Sequence, residues 1–162
     1  MEFIPSPNFW PDRKGLRPLA IVIHVTEGSF ESAKSWIMKE ESAVSYHFIV
    51  KHDGTAVQFV YTTAAAWANG VVVNSAWAAR QGKINPNLYT ISIAYAGTAA
   101  VGPTAKQIVA IADLVRQVSD QYAIDISEQT VIPHNLIHTQ KTCPGKKCDL
   151  VAIRYLASLA QN

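Results

Sequence analysis

One stretch constrains the fold more than any other: Leu19-Ala-Ile-Val-Ile-His-Val, an unbroken apolar run rich in β-branched residues. Such side chains favour extended backbone, and a run without polar alternation suits a strand covered on both faces. Covering both faces requires layers on each side of a sheet, so the chain is expected to be an α/β domain. The polar exception in the run, His24, stands at its C-terminal end.

The neighbouring segments fill in that sheet. Val44–Val50 and Thr55–Val60 flank His52-Asp53-Gly54, and Asp-Gly supplies the positive φ of a tight turn, so a β-hairpin is predicted. A hairpin beside crossover-connected strands makes the sheet mixed, with α-helices covering it. Thr90-Ile-Ser-Ile-Ala-Tyr alternates as a further strand, and Val131-Ile132 as a short one. Ser29 caps a predicted helix with Phe30, Ala33, Trp36 and Ile37 on its inner face. Thr104 and Gln107 form a capping-box pattern ahead of a long helix with a stripe of Ile108, Ile111, Leu114, Val115, Val118 and Tyr122. A last helix is expected from about Asp149 to Ala160.

Residues 1–18, punctuated by Pro5, Pro7, Pro11, Gly15 and Pro18, read as an extended arm without helix or strand. Residues 19–162 are then the core of a single domain. Thr62–Leu88 shows little periodicity and reads as a long surface segment with one helical turn.

With 49% hydrophobic and 16% charged residues, the composition is that of a folded globular chain rather than a disordered one. The net charge of +2 comes from scattered lysines and arginines, with only short adjacent pairs such as Lys146-Lys147, so no nucleic-acid footprint is expected. The mild positive bias suits teichoic acids or acidic peptide stems as well. Glu2 occupies the region where a signal peptide carries positive charge, and no apolar core follows, so secretion by that route is not expected. The apolar runs are too short to span a bilayer, so membrane insertion is not expected either.

His24, His134 and Cys143 are zinc ligands by type: two imidazoles and a thiolate suit tetrahedral Zn²⁺ and leave a fourth position open. The same residues would equally serve as buried structural histidines and a small apolar cysteine, and their spacing matches no local metal motif. His138 is an alternative to His134, Cys148 to Cys143, and Cys143 with a histidine base could also serve a cysteine hydrolase.

Three motifs in order add a resemblance: Ile21-Val-Ile-His-Val-Thr-Glu-Gly, Ser45-Tyr-His-Phe-Ile-Val-Lys-His-Asp-Gly-Thr, and Pro133-His134 followed by Lys141-Thr-Cys-Pro-Gly. Across about residues 18–150 the chain resembles the type-2 N-acetylmuramoyl-L-alanine amidases, which include small phage endolysins and are related to the peptidoglycan-recognition proteins. The resemblance implies a zinc hydrolase of bacterial peptidoglycan, cutting between N-acetylmuramic acid and L-alanine. It implies His24, His134 and Cys143 as metal ligands, and Tyr46 and Lys141 as donors to the oxyanion of the tetrahedral intermediate.

Many such amidases end the strand at Thr90–Tyr95 with a glutamate, where this chain has Ala94. Either Tyr46 or Lys141 suffices without it, or a glutamate has been replaced to trap substrate; the second is the expectation, with impaired turnover. Relatives that bind peptidoglycan without cutting it make a non-catalytic recognition module the rival reading. The irregular segment places Trp67, Asn69, Trp77 and Arg80 where the family's groove has a wall, and with His138 they are candidate substrate contacts. A phage-type lysin of this kind would be monomeric and stay in the host cytoplasm until released to the wall.

Overall fold

The computed structural model describes residues 1–72 and 74–159. Its centre is the predicted apolar strand, β3 (Ala20–Val25), in which all six residues are buried. Around it lie β1 (Glu2–Phe3), β4 (Phe48–Val50), β5 (Ala56–Gln58), β7 (Thr90–Tyr95) and β8 (Val131–Pro133), in the sheet order β1-β5-β4-β7-β3-β8. β4, β7, β3 and β8 run parallel, whereas the β4–β5 pair is the antiparallel hairpin, so the sheet is mixed as expected. At the hairpin tip Gly54 takes φ 90° and its N–H donates to Lys51 O at 2.9 Å.

The helices are α1 (Phe30–Ile37), α2 (Ala105–Tyr122), α3 (His134–Ile137) and α4 (Leu150–Ser158). Alternation along the strands divides the core between the two sheet faces. Ile21, Ile23, Val25, Ile91, Ile93 and Tyr95 pack against α2 and α4 with Ile111, Val115 and Ile153. Each fully buried aliphatic side chain contributes about 1.5–3 kcal/mol. The opposite face carries Ala20, Val22 and His24 from β3 and Ala94 from β7, and two smaller clusters cover it. The capping box of α2 is present: Gln107 N–H donates to Thr104 Oγ1, and Thr104 N–H to Gln107 Oε1. Ser29 caps α1 and Asp149 caps α4. No helix among the described residues is long and apolar enough to cross a membrane.

Four local expectations change. The N-terminal arm is not free of strand: Glu2–Phe3 pairs with β5, and β2 (Phe9–Trp10) pairs antiparallel with β6 (Ala65–Ala66). Prolines at 5, 7 and 11 bracket these two-residue strands without entering them, so no ladder donor is lost. Trp36 is 51% exposed, because the inner stripe of α1 is Phe30, Ala33 and Ile37 and position 36 falls to its side. The Thr62–Leu88 segment runs over the surface for much of its length, as expected, but it is anchored in the core at both ends and at Trp77, with Ala65, Trp77 and Leu88 in one cluster. The region after Pro133 begins with the short helix α3 rather than directly with a loop. The predicted last helix ends at Ser158, and Ala160 lies outside the described residues.

Candidate metal centre and cleft

Parallel pairing brings the two histidines together. Ile23 is in register with Pro133, so the next residues along β3 and beyond β8 are His24 and His134, whose ring centroids lie 4.4 Å apart. Both stand at the C-terminal ends of parallel strands, where open α/β sheets place their ligands. The third residue comes from the 141–147 loop, tied down on several sides. Asn135 N–H donates to Cys143 O (2.9 Å), Tyr95 Oη–H to Pro144 O (2.6 Å), and Val25 N–H to Cys143 Sγ (3.2 Å). One ligand atom from each of His24, His134 and Cys143 lies within 4.8 Å of the others.

Electrostatics suit a cation there. Burial, then the neighbouring His134 and His47, hold His24 well below the usual imidazole range. Burial brings His134 down to about 4, partly opposed by the carbonyl of Asn69. Both are therefore neutral lone-pair donors at pH 7. Burial pushes the Cys143 thiol up to about 12, so a thiolate is unfavourable without a positive partner, which a bound divalent ion supplies. The same value argues against Cys143 as a free nucleophile, whose chemistry needs a lowered thiol pKa. His24 Nδ1 is 3.8 Å from Cys143 Sγ, close to the roughly 3.5 Å between tetrahedral ligands on zinc. The Nε2 atom of His134 is 3.3 Å from Asn69 O; a carbonyl only accepts, so Nε2 carries the proton and Nδ1 keeps its lone pair. The donor set fits zinc.

The three residues floor a cleft of about 340 Å³, whose walls include Glu27, Val44, Tyr46, Trp67, Asn69 and Lys141. The Tyr46 ring lies 5.3 Å from that of His24, and burial keeps its hydroxyl protonated well above the ordinary phenol range. Lys141 is exposed at the mouth. Of the candidate substrate contacts, Trp67 and Asn69 line the cleft.

The other candidates lie elsewhere. Trp77 is buried in the core, its Nε1–H donating to Gln129 O at 2.9 Å. Arg80 lines a separate surface hollow with Val72 and Pro86. The ring of His138 packs 6.3 Å from that of His134 but is not part of the cleft lining, and its buried Nδ1 has no hydrogen-bond partner among the described residues. Ala94 is the register partner of His24 but is wholly buried among Phe30, Ile49 and Ala96, outside the cleft lining. His47 is a structural residue: its Nδ1 lies 3.0 Å from Ser92 N and its Nε2 lies 3.0 Å from the Arg13 guanidinium.

Two residues escape sequence reasoning. Glu27 lines the cleft on a left-handed backbone (φ 54°), with Oε1 accepting from Ala99 N–H at 3.2 Å. Its place three residues after His24 was the available signal. Asn87 sits in an Asn-Pro-Asn turn, and its Oδ1 accepts from the N–H groups of Ala68 (3.2 Å) and Asn69 (2.9 Å). The turn is legible, but the backbone it would hold is not.

Comparison with known proteins adds the family and the fold. The chain is 33% identical over 82 residues to N-acetylmuramoyl-L-alanine amidase A of Achromobacter lyticus, covering 50% of this chain and 38% of that one. It is 30% identical over 115 residues to the 1,6-anhydro-N-acetylmuramyl-L-alanine amidase AmpD of Escherichia coli (strain K12), covering 71% and 59%. The matches thus span less than two thirds of either relative's length. The crystal structure of a selenomethionine AmpD derivative shares the fold, with a TM-score of 0.76 and 23% identity over 96% of this chain and 93% of that one. The profile of the Amidase_2 family, N-acetylmuramoyl-L-alanine amidase, matches residues 14–146, a span that holds every proposed ligand and the whole cleft. The chain belongs to the N-acetylmuramoyl-L-alanine amidase family.

Proposed function

We propose that this protein is a zinc-dependent peptidoglycan amidase that hydrolyses the amide joining the lactyl group of N-acetylmuramic acid to L-alanine. The observation that carries this reading is the convergence of His24, His134 and Cys143 at the floor of a cleft, in a chain of this family. When bound, zinc supplies Lewis-acid polarisation of the scissile carbonyl and activation of water at neutral pH. Tyr46, kept protonated by burial, donates a hydrogen bond to the oxygen that gains charge, and Lys141 adds a cation at the mouth. Losing one such donor typically costs about a hundredfold or more in rate. Trp67 offers an aromatic face to the sugar.

Ala94 offers no carboxylate to accept a proton, and on this reading turnover is reduced. The same observation favours a second reading, a module that binds peptidoglycan without cutting it. The test is elemental analysis of the native protein beside Cys143→Ser and His134→Ala, followed by muropeptide hydrolysis with and without chelator. About one zinc per chain, lost in both variants, with chelator-sensitive release of L-alanyl peptides, is the expected result. Zinc without release leaves the binding module, and a folded chain that resists zinc loading refutes the amidase. We further propose a monomeric, phage-type endolysin acting from the host cytoplasm. Lysis of expressing bacteria only after the membrane is permeabilised tests that.

A further inference from the structure

Beside the cleft lies a second hollow of about 450 Å³, lined by Ala99, Ala100, Asn135, Gly145 and the lysines 141, 146 and 147 together with Thr142. Lys141 and Thr142 line both cavities, so one ligand can pass from the metal floor over Lys141 into the hollow. The lining contains three ammonium groups and no carboxylate, and none of the three lysines is in an ion pair among the described residues. Of the acids close by, Glu27 lines the cleft rather than the hollow and accepts from Ala99 N–H, and Asp149 caps α4 by accepting from Ala152 N–H.

This cationic hollow is built on fixed backbone. A Cβ on Gly145 would meet Ala99 O at 2.6 Å, and one on Gly102 would meet Lys147 Cβ at 2.8 Å, so the 97–102 and 145–147 segments touch with no slack. Gly145 N–H donates to Thr142 O (2.8 Å), and Cys148 N–H to Gly145 O (3.2 Å). The backbone that carries the lysines is therefore fixed before any ligand arrives, which lowers the part of the ordering cost that falls on the loop.

We infer that this hollow is an anionic subsite that takes the carboxylates of the stem peptide, so that Lys146 and Lys147 select substrates by peptide charge. The inference rests on the amidase reading above. In the intact substrate the lactyl carboxyl of the muramic acid is tied up in the scissile amide, so the sugar side is neutral there. Carboxylates lie on the peptide side. The linings differ in the matching way, Trp67 bordering the cleft alone while Lys141 and Thr142 border both the cleft and the lysine hollow. A phosphodiester wall polymer shares the anionic chemistry, but continuity with the metal floor favours a group carried by the molecule being cut.

The test uses zinc-loaded protein and N-acetylmuramoyl-L-alanyl-D-glutamate with a ketomethylene in place of the scissile amide, prepared as the free diacid and as the diamide. Calorimetry should show the diacid binding about three- to tenfold tighter, the range that two exposed ion pairs supply. The preference should vanish in the double variant Lys146→Ala/Lys147→Ala and in high salt. Both lysines are exposed, so the variant should fold, checked by an unchanged melting temperature. Equal native affinities, or a preference that survives the double substitution, overturn the inference and leave the amidase reading standing. If only poly(glycerol phosphate) loses affinity in the double variant, the hollow serves a wall polymer and the inference is wrong. If neither muropeptide analogue binds, the amidase reading fails and this one with it.

Discussion

Asn87 never touches the cleft, yet replacing it should weaken both the fold and the metal centre. Its Oδ1 accepts from Ala68 N–H and Asn69 N–H. Asn69 also donates from Nδ2 to Thr90 Oγ1 (3.1 Å), and Thr90 Oγ1–H in turn donates to Pro86 O (2.8 Å). This network aims the Asn69 carbonyl at His134 Nε2. Asn87→Ala leaves the fully buried Asn69 N–H without an acceptor, at about 1–3 kcal/mol, and the partly buried Ala68 N–H at less. A total of about 2–3 kcal/mol is expected from urea unfolding of zinc-free protein. Loosening the carbonyl that fixes the His134 tautomer should cost a further tenfold to hundredfold in zinc affinity, read by competition with a chromophoric chelator. Asn87→Asp keeps the accepting oxygen and should retain most of both. Native zinc affinity in the alanine variant refutes the coupling, and an aspartate variant as weak as alanine refutes the accepting role.

Acid should destabilise the zinc-free protein early. Burial, with the Arg13 guanidinium beside it, brings His47 down to about 3, so between pH 6.5 and 3 the unfolded state binds a proton that the fold refuses. Stability is complete above pH 6.5 and falls by about 1.4 kcal/mol per pH unit below it from His47 alone; constant stability from pH 7 to 5 contradicts this. Trp77→Ala should cost about 3–5 kcal/mol of stability and leave KM of the folded fraction unchanged, whereas Trp67→Ala should raise KM; the reverse pattern would place Trp77 in the site. Ala94→Glu should raise kcat a hundredfold or more if position 94 houses the missing general base, and lower Tm because the site is closely packed. A folded variant with unchanged kcat rejects that role.

What was legible in the sequence is what is decided locally or by strong patterning. The β3 run, the Asp-Gly hairpin and the capping box of α2 are set by residues within a few positions of one another, and each forms as read. His24 and His134 come together because parallel pairing sets the C-terminal ends of β3 and β8 side by side, and Tyr46, Trp67, Asn69, Lys141 and Cys143 reach the same cleft from loops outside those strands. The N-terminal bridges were not legible, since two residues become a strand only when a partner edge is offered. Arg13 illustrates the limit. An arginine in a proline-rich arm reads as solvated, yet it is buried and donates to the carbonyls of Thr62, Leu88 and Thr90, fastening the long segment that forms the Trp67 wall.

The ligand geometry links metal binding to the stability of one sheet edge. β8 is an edge strand with three register pairs to β3, and the loop that follows it carries Cys143 and the lysines. An ion held by His24, His134 and Cys143 would join β3, the start of α3 and that loop. Because the unfolded chain does not present these groups together, zinc at a thousandfold excess over Kd should add about 4 kcal/mol to global stability. The local effect should be larger in contrast: amides of residues 131–148 should gain hydrogen-exchange protection on zinc loading, while those of α2, on the far face of the sheet, should follow only the global change. Equal protection throughout would mean that the edge does not open separately. Protection gained in α2 but not at 131–148 would place the metal elsewhere.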